Sequence, residues 1–316
     1  MTVAARTWRV GIVGMSPLGL FLLERLSLSS EIQISGIVDD SPRRRDLAVN
    51  IGCHLWDQPH SAVVSNDTDA VFLVEGISYD LISTSLLHRK HVVVQRPWLL
   101  SSRELRDLAE KAASSKCLAT MACPRRGSSD FLAALTAKNT GRLGALHSIR
   151  LTSCEMALPP DASSAGVLRE FGFHWLDQLL LLAESTPVRV FAKRFTTAGE
   201  NREHGFLATI EFASGCTAQI ELQTQSRLAH RTGWMLEGTI GSYRADRLYT
   251  VTPAGEIVDE PQARPVSVAD PLIEELVSAW QGEFSKLPTL TDAAEVMKLV
   301  ELIEQSAALG TVVQVS

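Results

Sequence analysis

Residues 8–19 read WRVGIVGMSPLG, and the stretch changes character at Gly14. Up to Val13 it is a short run of apolar and β-branched residues, the length and composition of one buried strand. From Ser16 it becomes a helix start: Ser16 suits the N-cap, and Pro17 suits the first helical position, where a missing N–H costs nothing. Gly14-Met15-Ser16-Pro17-Leu18-Gly19 therefore stands where a dinucleotide-binding strand, turn and helix carry G-x-G-x-x-G, with serine replacing the middle glycine. That glycine normally lets the backbone approach a pyrophosphate, so a serine Cβ takes up room there. The helix N-terminus still presents amides to an anion. Twenty residues after Gly19, Asp39 closes a second apolar run, IQISGIV at 32–38, where a carboxylate accepts hydrogen bonds from ribose hydroxyls. Asp40 follows directly. Two carboxylates repel a 2′-phosphate, so NAD(H) is expected in preference to NADP(H), although Arg43, Arg44 and Arg45 pull the other way from the next helix.

Outward from this turn, strand-like runs at 8–13, 32–38, 70–74, 91–95 and 117–123 alternate with helix-patterned stretches at 17–26, 42–50, 79–89 and 102–113. Such alternation predicts an α/β fold, an N-terminal doubly wound parallel sheet of the Rossmann type. From about Gly144 the pattern changes. LGALHSIRLTSCEM, PVRVFAKRF, FLATIEF, CTAQIELQT and WMLEGTIGSYRADRLYTVT alternate as strands, with one helix after the first and turn signals at 214–215 and 253–255. They predict a C-terminal α/β domain with a large, mostly antiparallel sheet. The expected division is a dinucleotide-binding domain over 1–123 and a substrate and oligomerisation domain over 124–316. Two helical stretches near 271–284 and 291–308 and a short VVQV strand close the chain.

The composition fits that reading. Of 316 residues, 45% are hydrophobic and 21% charged, as in an ordinary globular protein, and 30 basic against 36 acidic side chains leave a net charge of −6. Nothing in that balance favours nucleic acid or an anionic membrane as partner; a small-molecule substrate is expected instead. Five scattered cysteines without a CxxC pair make a poor disulfide framework. The apolar run after Arg6 and Arg9 is too short for a signal or membrane segment, and a cytoplasmic location is expected.

With these motifs in order, the chain resembles the Gfo/Idh/MocA (glucose-fructose oxidoreductase, inositol dehydrogenase) family over nearly its whole length. GIVGMSPLG and IVDDSPRRRDLA are similar to its fingerprint and second-strand acid. HVVVQRPWLLSSRELRDLAEKA resembles its Glu-Lys-Pro segment, and PRRGSSDFLAALTAKNTGRLGALHSIR its domain crossover. In GVLREFGFHWLDQLLLL the family's spaced acid, histidine and acid become Glu170, His174 and Asp177. The resemblance implies dinucleotide contacts from Gly14 to Gly19 and from Asp39, Asp40, Glu75, Gln95 and Arg96, and substrate contacts from Arg96, Arg125, His174 and Asp177. It also implies a homo-oligomer, a dimer or tetramer, paired through the face of the second sheet. The departures fall on the chemistry. Gln95-Arg96-Pro97 replaces Glu-Lys-Pro, and arginine cannot release its proton at ordinary pH. Glu75-Gly76 replaces a Thr-Pro, and Asp80 a histidine.

Glu170, His174 and Asp177 are spaced to share one face if 167–183 is helical. A carboxylate one turn from an imidazole orients it and raises its pKa, which suits a general acid or base. His174 is the expected proton carrier, Glu170 its orienting partner, and Arg96 the group that polarises a substrate oxygen or holds a carboxylate. Arg125 and Arg126 read equally as a solvated helix start or as ligands for an anion. Trp175 reads as a wall of the site or as packing. No second cluster of histidine or cysteine completes a metal site, so no metal is expected. Two functions follow. The first is an NAD(P)-dependent oxidoreductase moving a hydride between nicotinamide and a hydroxyl or carbonyl of a sugar, polyol or related metabolite. The second is a non-catalytic relative that binds a dinucleotide or metabolite as a sensor or assembly partner.

Overall fold

The computed structural model describes residues 6–39, 42–95, 99–154, 166–196, 203–226, 231–262, 272–283 and 287–315. The chain forms two compact units, one from Met1–Cys123 with Val268–Glu295, the other from Pro124–Ser267 with Val296–Ser316.

In the first unit, β1 (Trp8–Val13) enters α1 (Pro17–Ser27), then β2 (Ile32–Val38), α2 (Pro42–Ile51), β3 (His54–Trp56), α3 (Pro59–Val64), β4 (Ala70–Leu73), α4 (Tyr79–Leu87), β5 (His91–Val94), α5 (Ser102–Ser115) and β6 (Ala119–Met121). The strands are all parallel in the order β3-β2-β1-β4-β5-β6. Every residue of β4 is buried, which is why its sequence, AVFL, shows no alternation. Helix starts follow local chemistry: Ser101 and Glu104 form a reciprocal capping box on α5, and Ser78 accepts the Leu81 amide at 3.2 Å to open α4. β3 and α3, three and six residues long, were not expected from the sequence, because elements that short carry no readable period.

The second unit begins with a 3-10 turn at Pro124–Gly127 and α6 (Ser129–Asn139), followed by β7 (Leu146–Cys154), a π turn (Leu168–Gly172), α7 (Phe173–Ala183), β8 (Pro187–Thr196), β9 (Glu203–Phe212), β10 (Thr217–Gln223), β11 (Arg231–Gly238), β12 (Gly241–Arg244), β13 (Arg247–Val251) and β14 (Ile257–Pro261). One long alternating stretch thus divides into β11, β12 and β13. Ala245 and Asp246 both take positive φ, 51° and 59°, at the tight second turn. The sheet is mixed: β7 and β10 run parallel, while the other neighbours are antiparallel. One face buries Ile149, Leu151, Phe206, Ala208, Ile210, Ile220, Trp234 and Leu236. The opposite face turns Arg150, Phe191, Leu207 and Gln219 outward.

After β14 the chain returns to the first unit as α8 (Leu272–Trp280), then runs through α9 (Leu290–Leu309) to β15 (Val313–Gln314), which pairs with β8. The return is fixed by apolar packing: Leu276, Val277 and Trp280 join Trp8 and Phe72 in one buried cluster, the Trp280 ring 5.4 Å from that of Trp8. A division at residue 124 with everything after it in one domain leaves out this return. None of the helices among the described residues is long and apolar enough to cross a membrane.

Candidate active site

The strand order reverses between β1 and its neighbours β2 and β4, and in parallel sheets ligands bind beyond the carboxyl ends at such a point. Four predicted residues or groups lie there: the turn from Gly14, Asp39 after β2, Glu75 after β4 and Gln95 after β5. The turn is tight. Gly14 has φ +92°, and a Cβ on Gly19 would stand 2.2 Å from the Gly14 carbonyl, so both positions require glycine. Gly14 donates to Val38 O at 3.0 Å, while Met15, fully buried, donates its amide to Asp39 Oδ2 at 3.1 Å. Asp39 therefore also orders the turn, and a carboxylate, with room for about four hydrogen bonds, can accept others beside this one.

α1 starts as its sequence predicts, with Ser16 as N-cap and Pro17 at its first position, but the Ser16 side chain makes no capping bond. The first helical bond runs from Leu20 N to Ser16 O at 2.9 Å, so the amides of Leu18 and Gly19 precede the ladder and have no acceptor within it. Gln95 is held by its amide on Leu73 O at 3.0 Å. Asp40, Arg96 and the side chains of Arg43, Arg44 and Arg45 lie outside the described residues.

In the second unit the helix bearing Glu170, His174 and Asp177 is not uniformly α. Glu170 sits in the π turn Leu168–Gly172, and His174 and Asp177 follow on α7. π turns are costly and concentrate at functional sites. The helix entry is pinned by Glu203, a buried carboxylate that accepts the Leu168 amide at 2.6 Å and pairs with Arg194. Arg169 adds a fork onto Glu304, both bonds at 2.7 Å.

Further along the helix, Asp177 is 1% exposed and takes the Arg126 guanidinium with both oxygens, at 2.7 and 2.6 Å. Next to it the buried Gln178 donates to Arg125 O and accepts the Trp234 indole N–H at 3.0 Å. These bonds tie the turn at 124–127 to α7 and lay the Arg125 guanidinium over the Trp175 ring, 4.5 Å from its centroid. Trp175 is buried and packs edge-on to Trp234 at 6.3 Å. Gln178 escaped the sequence reading; its signal was a single amide inside an apolar helix run, which must find partners when buried.

His174 is half-buried, with the Phe173 ring edge-on at 5.8 Å. Burial and then the Arg125 charge push its pKa down from 6.5 to about 4. The expectation that a carboxylate one turn away raises this pKa is therefore corrected: desolvation and a neighbouring cation both disfavour imidazolium. At neutral pH the ring is uncharged and can accept a proton.

A model of an oxidoreductase family with an NAD-binding Rossmann fold matches residues 8–123, and one of the GFO/IDH/MocA C-terminal domain matches 131–244. The chain is 22% identical over 191 residues to the myo-inositol 2-dehydrogenase of Thermotoga maritima, a match covering 58% of this chain and 57% of that one. It thus spans just over half the length of that relative. Among solved structures, an NAD-binding protein from Listeria innocua has TM-score 0.85 at 21% identity, covering 98% of this chain and 97% of its own. GenD2 from gentamicin A biosynthesis, solved in complex with NAD, has TM-score 0.80 at 20% identity, covering 100% of this chain and 98% of its own. At such identities the structural matches establish the fold.

Proposed function

The chain belongs to the Gfo/Idh/MocA family of oxidoreductases with an NAD-binding Rossmann fold, and from that premise we propose that it is an NAD(H)-dependent dehydrogenase acting on a hydroxyl or carbonyl of a small polyol or sugar. The observation that carries the reading is the convergence of the Gly14–Gly19 turn, Asp39 and Gln95 beyond the strand ends of the first unit. The residues present fit a dinucleotide: the turn is closed by two obligatory glycines, and α1 offers the Leu18 and Gly19 amides to a diphosphate. Asp39 would accept the adenosine ribose hydroxyls, and a 2′-phosphate there would meet its charge. When bound, the nicotinamide supplies the hydride acceptor or donor.

The chain's own work is to hold the substrate and move one proton. His174, neutral at pH 7, accepts the hydroxyl proton as the alcohol is oxidised. Glu170 orients the ring, and Arg96 and Arg125 supply positive charge to a substrate oxygen or carboxylate. Asp177, with both oxygens on Arg126, acts by holding the turn at 124–127 in place.

Titration with NADH and NADPH, followed by turnover across a panel of polyols, sugars and hydroxy acids, tests this. NADH is expected to bind about tenfold or more tightly than NADPH. Tighter NADPH binding would give the ribose to the arginine run at 43–45, and binding without turnover would make the protein a sensor or assembly partner. The outward face of the second sheet, with Phe191 and Leu207 exposed, is covered by a second copy of the chain. Light scattering at micromolar concentration is expected to show at least a dimer; the mass of a single 316-residue chain overturns this.

A further inference from the structure

Glu75 is the least expected residue around the turn, because it places a full negative charge where an anionic diphosphate is to be held. It follows β4, the strand beside β1, and its amide donates to Val13 O at 3.1 Å, sharing that acceptor with Val74 at 2.9 Å. This backbone contact fixes where the side chain starts. A Cβ built on Gly14 would stand 2.5 Å from Glu75 Cβ and 2.7 Å from its Cγ. The Glu75 stem therefore covers Gly14, and the carboxylate is one bond further out on an exposed side chain. On the β2 side of the same turn, Asp39 Oδ2 accepts the Met15 amide. The turn is thus flanked by a carboxylate from each neighbouring strand end, although the two have different tasks. Asp39 serves the turn amide and neutral ribose hydroxyls, which a carboxylate binds well. The Glu75 stem lies over Gly14, two residues before the Ser16 N-cap of α1, whose terminus carries only about half a positive charge.

We propose that Glu75 weakens the hold on the dinucleotide diphosphate and so sets how quickly the cofactor exchanges with solution. The inference rests on the dinucleotide reading above and deepens it by naming a residue that tunes the rate of cofactor release. For an exposed charge within about one Debye length, roughly 8 Å at physiological salt, the effect is about three- to tenfold in affinity.

The experiment is a calorimetric titration of NADH into the wild type, Glu75→Gln and Glu75→Lys, with stopped-flow dissociation, at ~0.02 M and ~0.5 M salt, where the Debye length falls from about 20 Å to about 4 Å. The dissociation constant is expected to fall about three- to tenfold in the glutamine variant and further in the lysine variant, with dissociation slowing in step. High salt should narrow the differences, and adenosine, which lacks phosphate, should bind all three alike. Equal NADH affinity across the series overturns the proposal, and weaker binding by Glu75→Gln overturns it in favour of a ribose ligand. If no variant binds NADH while all melt at the wild-type temperature, the dinucleotide reading itself has failed.

Discussion

With His174 replaced by alanine, turnover is expected to fall by about 10² to 10⁴ while NADH binds as before. The residue belongs to the second unit and the dinucleotide turn to the first, so the two readouts separate. Its protonation gives a second signature. Burial and Arg125 hold the ring at about 4, below the 6.5 of a free imidazole. The ring is therefore deprotonated across neutral pH and loses that state only as acid approaches its lowered pKa. A wild-type rate limited by this proton transfer should be level from about pH 6 to 8 and decline below about pH 5. An inflection near 6.5 in the wild type would show a solvated ring. An alanine variant as fast as the wild type, on a substrate the wild type turns over, would place the chemistry elsewhere.

The parallel sheet was legible because each of its longer strands is a local run, and the residues that start its helices, Ser16 with Pro17 and Ser101 with Glu104, act within four positions of themselves. The dinucleotide turn was legible for the same reason. Gly14 is demanded by its own positive φ and Gly19 by the Gly14 carbonyl five positions back, both local, although Gly14 also meets Glu75 from the end of β4. What escaped was non-local. The return of α8 depends on Trp280 meeting Trp8 and Phe72, partners some 270 and 210 positions away, and no period records that. The π turn is likewise invisible to a spacing argument, since its five residues are too few to establish a period of their own. The charge environment of His174 was not legible, because Glu170 is near in sequence while Arg125 is brought near by the fold. Arg125 reaches its place through Gln178 and the Arg126–Asp177 pair, contacts that span about fifty positions.

That pair carries the second large effect. Asp177→Ala is expected to destabilise the second unit by about 3 to 5 kcal/mol, because it strands a mostly buried guanidinium without its carboxylate. The side chains are 18% and 2% exposed, so Arg126 recovers some hydration and the loss should fall toward the lower figure. At about 2–4 °C per kcal/mol for a domain of this size, the melting temperature drops by roughly 10 °C. Activity should fall too, since the turn at 124–127 then no longer holds Arg125 over Trp175. A substrate-binding role for Asp177 makes the opposite forecast: a raised KM with an unchanged melting temperature. The double variant Arg126→Ala with Asp177→Ala separates the two. When both charges leave together no unpaired ion remains, so the double variant should be less destabilised than the sum of the single variants by at least about 1 kcal/mol. Strict additivity would mean that the two side chains act independently and that the fork between them does not hold the turn.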